Sequence, residues 1–240
     1  MEKQIISVIF LLLFIGKITY PQNINTAGIF PTIDHSGKLN NKLDYSIYYF
    51  SAFPVFTLQK EKVVENTFFN IFYAEHAISY TLFNNFSLTG SYVYQRENVF
   101  QTNYVNENRF YSQIKFKHNL NKLVFTHRLR FDGRFIQNRF SNKTPFTHRL
   151  RYLIGMDIPL NQKLYFTTYE EPFFNTITNS NIIYSENWAY AAFGKKIDNK
   201  NKIEVGLLFV TWNIGNRNWF NQYYLQLSWI NQLDFRNTNK

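Results

Sequence analysis

The feature that most constrains this chain is a hydrophobic period of two, held over ten residues and more. In Arg109–His118, Phe110, Ser112, Ile114 and Phe116 fall on one face; Arg109, Tyr111, Gln113, Lys115 and Lys117 fall on the other. In Leu123–Phe135 the split is Leu123, Phe125, His127, Leu129, Phe131 and Phe135 against Thr126, Arg128, Arg130, Asp132 and Arg134. In Phe146–Ile158 it is Phe146, His148, Leu150, Tyr152, Ile154, Met156 and Ile158 against Thr147, Arg149, Arg151 and Asp157. Strands of soluble proteins usually run about 5–6 residues. Strands that cross a bilayer at a tilt need about 9–11. The pattern predicts strands over 24–33, 43–56, 67–82, 87–97, 107–119, 122–138, 146–158, 163–176, 183–197, 202–213 and 219–235, with almost no helix.

The connections between these strands alternate in length. Phe83–Phe86, Asn119–Lys122, Pro159–Lys163 and Asp198–Asn201 are short and rich in Asn and Asp, which suit tight turns. The segments 57–66, 97–106, 139–145, 177–182 and 214–218 are longer. Short turns at one end and long loops at the other are the plan of an outer-membrane barrel. The expected fold is therefore all-β: an antiparallel up-and-down transmembrane β-barrel of 10–12 strands, as one domain over 23–240. The predicted strands number eleven, whereas single-chain bacterial barrels have even counts. Ten would follow if 24–33 does not span, and twelve if one strand is missed.

Composition narrows the function classes. Aromatic residues make up 20% of the chain, which fits girdles at two membrane interfaces. There is no cysteine, so a disulfide framework, a thiolate zinc site, a thiol nucleophile and a lipid-bearing cysteine are excluded. The N-terminus has Lys3, then an eleven-residue apolar run from Ile5 to Ile15, then Pro21. That is the order of a secretory signal peptide, and the run is too short for a membrane helix, which needs about 20 residues. Residues 1–22 are expected to be a cleaved leader and the compartment the outer membrane. Export argues against nucleic acid as a partner despite a net charge of +10.

If the Phe, Leu and Ile faces meet lipid, charge lines the lumen. Arg109, Lys115, Lys117, Arg128, Arg130, Arg134, Arg149 and Arg151 then point inward, with Glu75, Asp132, Asp157, Glu171, Glu186 and Glu204. The block Thr126–Phe131 (THRLRF) recurs as Thr147–Tyr152 (THRLRY) on the next strand. Two uses compete for this face. One is an ion-paired network that fills the lumen; the other is a narrow anion-preferring channel or a site for a small anionic solute. The expected partners are outer-membrane lipid, the secretion and barrel-assembly machinery, and that solute.

Catalytic chemistry finds little support. His76, His118, His127 and His148 fall on the apolar face. Ser112 shares that face with His118 but lies six residues away, about 20 Å along a strand. There is no G-x-S-x-G elbow. Glu170 and Glu171 are adjacent on a strand and so point to opposite faces. Metal-ligand spacing is absent. No catalytic residue, metal or cofactor is expected. A lipid-modifying outer-membrane enzyme and a soluble periplasmic ligand-binding barrel stand as alternatives. Trp212, Trp219 and Trp229 are expected at a membrane interface.

The runs Glu107–Phe110 (ENRF), His127–Phe131 (HRLRF), His148–Tyr152 (HRLRY), Ile158–Leu160 (IPL), Tyr169–Phe174 (YEEPFF) and Ser185–Tyr190 (SENWAY) occur in that order. Over about residues 25–235 the chain thereby resembles the family catalogued as domain of unknown function 2490. The resemblance implies an outer-membrane β-barrel with no established activity, and it transfers no catalytic residue. Trp188 stands where the family often has Arg, and Tyr94-Gln95-Arg96 where it has Tyr-Arg-Tyr.

Overall fold

The structure, a computed structural model, describes residues 22–59, 62–65, 70–138, 143–176, 182–215 and 218–236. Nearly all of the expected leader, residues 1–21, lies outside them. Twelve strands follow one another: β1 (Gln22–Lys38), β2 (Leu43–Gln59), β3 (Lys62–Glu65), β4 (Ile71–Phe83), β5 (Phe86–Glu97), β6 (Val105–Leu120), β7 (Leu123–Ile136), β8 (Phe146–Pro159), β9 (Leu164–Thr176), β10 (Ile182–Lys196), β11 (Asn201–Gly215) and β12 (Asn218–Asp234). Each of the eleven predicted strands overlaps one of these, and the four-residue β3 is the addition.

Eleven strands close into a barrel, and β3 pairs only with the end of β2. The count is neither ten nor twelve. The first strand is fully paired, antiparallel to β2 and parallel to β12. The parallel pair corrects the expectation of antiparallel pairing throughout. Its cause is arithmetic: in a meander with an odd number of strands, the first and last run the same way. The seam keeps one register from Ile24↔Phe220 to Lys38↔Asp234.

The turns at one end share a device. The Asn40 side chain accepts from the N–H groups of Lys42 and Leu43, and Asn161 accepts from those of Lys163 and Leu164. Asp198 accepts from those of Lys200 and Asn201, both at 2.7 Å. The Asn201 side chain and then these N–H groups hold the Asp198 carboxyl below the usual aspartate range. Between β6 and β7 the backbone itself turns, with Asn121 at φ 55°. Asparagine tolerates that left-handed region.

Polarity is inverted relative to a soluble barrel. The outer face carries Phe110, Phe131, Ile154, Phe193 and Leu207; the last two are 67% and 68% exposed. The inside holds both the apolar core and the charges. Phe30, Phe50 and Tyr73 stack in a column across β1, β2 and β4, with centroids 4.6 and 4.3 Å apart. Leu208, Val210, Tyr190 and Tyr224 pack into the same cluster from β10, β11 and β12. Among the expected interface tryptophans, Trp229 is exposed. Trp212 instead lines the lumen, and Trp219 is buried beside Tyr184.

Candidate functional site

The charged residues predicted to point inward do meet in the lumen, mostly on β4 to β9. The two THRLR blocks lie side by side, with Arg130 opposite Arg151 and Asp132 opposite Arg149. Arginines facing one another repel unless carboxylates intervene. Carboxylates supplied by β4, β6, β7, β9 and β10 do so.

Glu171 accepts from Arg151 Nε and Nη2, each at 2.9 Å, and forms an ion pair with Arg128 Nη2 at 2.7 Å. Asp132, 0% exposed, accepts from Arg149 Nε at 2.9 Å. Glu186 receives Arg149 Nη1 at 3.5 Å and the indole N–H of Trp188. Glu75 receives Arg130 Nη1 at 3.3 Å and the hydroxyls of Tyr73 and Tyr111 at 2.6 and 2.5 Å. Arg130 also donates twice to Gln113 Oε1, at 2.9 and 2.8 Å. Glu107 binds Arg109 at 2.7 Å and both donating nitrogens of Arg134 at 2.8 Å. Guanidinium groups on carboxylates combine charge with fixed direction, so every pair except Arg109–Glu107, which lies within β6, locks two strands. Aromatic faces complete the packing: Phe173 lies 4.8 Å from Arg149 and 4.2 Å from Arg151, and Tyr111 lies 3.8 Å from Arg130.

Of the inward-pointing residues expected, Lys115, Lys117, Asp157 and Glu204 stand apart from this network. Asp157 accepts only from Thr167 Oγ1, at 2.7 Å, among its described hydrogen bonds. Two lumen carboxylates, one in the network and one outside it, escaped the alternation. Glu107 shares the parity of Arg109, but the apolar face that reveals the period begins only at Phe110. Asp34 lies one residue past the predicted end of the first strand.

A space of about 690 Å³ remains inside the barrel. Toward the short turns its walls carry Asp34, Lys115, Lys117, Arg128, Asp157 and Glu204. Glu204 is held by the hydroxyls of Tyr165 and Tyr190, at 2.7 and 3.0 Å.

The histidines point outward. His118 and His127 stack at 5.2 Å, and the hydroxyl that reaches His127 Nδ1 is that of Tyr152, at 2.8 Å. Glu170 and Glu171 diverge as expected: the first is exposed and binds Asn187, and the second is 2% exposed in the lumen. Among the described residues, no group of three or more His, Cys, Asp or Glu could hold a metal ion.

A family model described as "Protein of unknown function (DUF2490)" matches residues 61–223. The chain belongs to this family. No curated protein and no solved structure matches it. The match to DUF2490 includes every arginine and carboxylate of the ion-paired network. It leaves out β1, β2 and the second half of β12, which contribute the closing seam and Asp34. Trp188 gives its ring to the aromatic cluster, 5.9 Å from both Phe30 and Phe173.

Proposed function

We propose that this chain is a non-enzymatic outer-membrane barrel, exported by a cleaved leader at residues 1–22, whose lumen is closed by its own side chains. The inverted polarity carries the proposal. Large apolar side chains cover the outside, and arginines sit in salt bridges inside. Lipid is the solvent that matches such an outer surface. A soluble ligand-binding barrel would have to leave the same surface in water. On this account the partners are outer-membrane lipid and the secretion and barrel-assembly machinery.

The role is structural rather than that of an open pore. Six arginines (109, 128, 130, 134, 149 and 151) are engaged by five carboxylates (75, 107, 132, 171 and 186). Side chains filling the bore obstruct ion flow, and eleven strands leave a bore only modestly wider than the filled eight-stranded one. A second reading, a narrow channel preferring anions, is favoured by Lys115 and Lys117, which line the lumen without a carboxylate within 4 Å among the described residues.

Fractionation and conductance test both. The protein should sediment with outer membranes, migrate differently on gels before and after boiling, and pass no steady current in a planar bilayer. Recovery wholly in the soluble periplasm would remove the membrane role. Stepwise currents would remove the closed lumen. Their anion preference should then fall on charge reversal at Arg128, Arg130, Arg149 and Arg151.

A further inference from the structure

The short-turn half of the lumen carries charges that the network leaves unused. Lys115 and Arg128 are directly opposed on β6 and β7, and Lys117 is the next inward residue. Like charges so placed destabilise a sheet. Glu171 does not resolve the conflict, because it is already gripped twice by Arg151. Arg128 reaches it with one nitrogen only, and its buried Nε has no hydrogen-bond partner. Neither lysine has an ion pair within 4 Å among the described residues.

The opposite wall has the opposite sign. Asp34 on β1 and Glu204 on β11 line the same cavity. β1 is four strand steps from β6 and β11 is four from β7, going round the barrel in the two directions. Asp34 has no described ion pair either, and Glu204 is bound by tyrosine hydroxyls rather than by a cation. Ser36, Ser46, Ser79, Thr89 and Ser228 supply hydroxyls between the walls.

We propose that this vestibule binds a small zwitterionic solute. Its carboxylate or phosphate end lies on Lys115, Lys117 and Arg128, and its ammonium end on Asp34 and Glu204. A simple anion would satisfy one wall and face the carboxylates of the other. A molecule with both charges satisfies each wall and aligns with the transverse field between them. The two ends can come from a free peptide-like solute or from a phospholipid headgroup. The proposal goes beyond the closed-lumen account and does not depend on it, since the vestibule lies below the network whether or not ions pass.

Titration calorimetry on the full chain refolded in detergent tests it, with glycylglycine, phosphoethanolamine, inorganic phosphate and ethylamine as probes. One zwitterion should bind at least about tenfold more tightly than phosphate or ethylamine, the scale of one added charge-assisted hydrogen bond. Tighter binding of glycylglycine identifies a peptide-like solute, and of phosphoethanolamine a headgroup. Lys115→Gln and Asp34→Asn should each weaken the zwitterion by about tenfold, whereas Asp34→Asn should leave phosphate no weaker. Lys117→Gln, at an exposed position, replaces Lys115→Gln if the latter fails to fold. Phosphate binding as tightly as both zwitterions would overturn the proposal, as would a zwitterion affinity unmoved by Asp34→Asn. Neither result touches membrane insertion or conductance.

Discussion

At the scale of single residues, the lumen is held by carboxylates of which four (Glu75, Glu107, Glu171 and Glu186) each answer more than one donor. Glu171 is the extreme case, with Arg151 and Arg128 on one carboxylate at 2% exposure. Removing one partner of a buried pair strands the other, at about 3–5 kcal/mol. Glu171→Ala should therefore lower stability to urea by about that amount, while Glu170→Ala, one residue away on the outer face, should cause no loss, because a carboxylate facing lipid costs stability rather than adding it. Equal effects at the two positions would show that the network is dispensable. The inward direction of these arginines was legible in the sequence, because alternation within a strand needs no knowledge of its neighbours. Their partners were not. Glu75 and Arg130 meet across 55 positions of chain, and only the register of the strands between them brings the two together.

At the scale of strands and turns, period two and the Asn/Asp-rich connections were enough to place all eleven barrel strands. What they could not supply was closure. Alternation says which way a side chain faces, not which strand lies beside the first. The even-number expectation pulled against the count, and the parallel seam resolves it without adding or removing a strand. β3 is too short for a period of two to register. The seam is testable because no native cysteine interferes. Ile33 and Trp229 are Cα partners across it, and both are exposed. Oxidation of the double variant Ile33→Cys/Trp229→Cys should form an intramolecular disulfide in the folded barrel. Ile33→Cys paired with Leu225→Cys, four residues out of register, should not. The reverse outcome would mean that β1 and β12 meet in another register.

At the scale of the whole molecule, one sequence serves two environments at once. Each strand gives alternate residues to an apolar outside and to an inside that is half aromatic and half charged. The aromatic half, built on Phe30, Phe50 and Tyr73, adjoins the charged half where Tyr73 donates to Glu75. The interior is therefore continuous, and no helix or inserted loop among the described residues is needed to fill it. Composition hinted at this through its aromatic richness, but the tryptophans show its limit: the same residue type serves as an exposed side chain at Trp229 and as lumen packing at Trp212.

The central claim is that the outer face meets lipid while the arginine face does not. Spin labels on single cysteines along Leu123–Ile136, with the protein in lipid vesicles, test it most directly. Labels at Phe125, Leu129, Phe131 and Phe135 should relax with oxygen and resist a water-soluble nickel chelate. Labels at Thr126, Arg128 and Arg134 should escape the high oxygen exposure of the bilayer, giving a period of two along the strand. Uniform access of the chelate to Leu129 and Phe131 would place that face in water and contradict the membrane barrel.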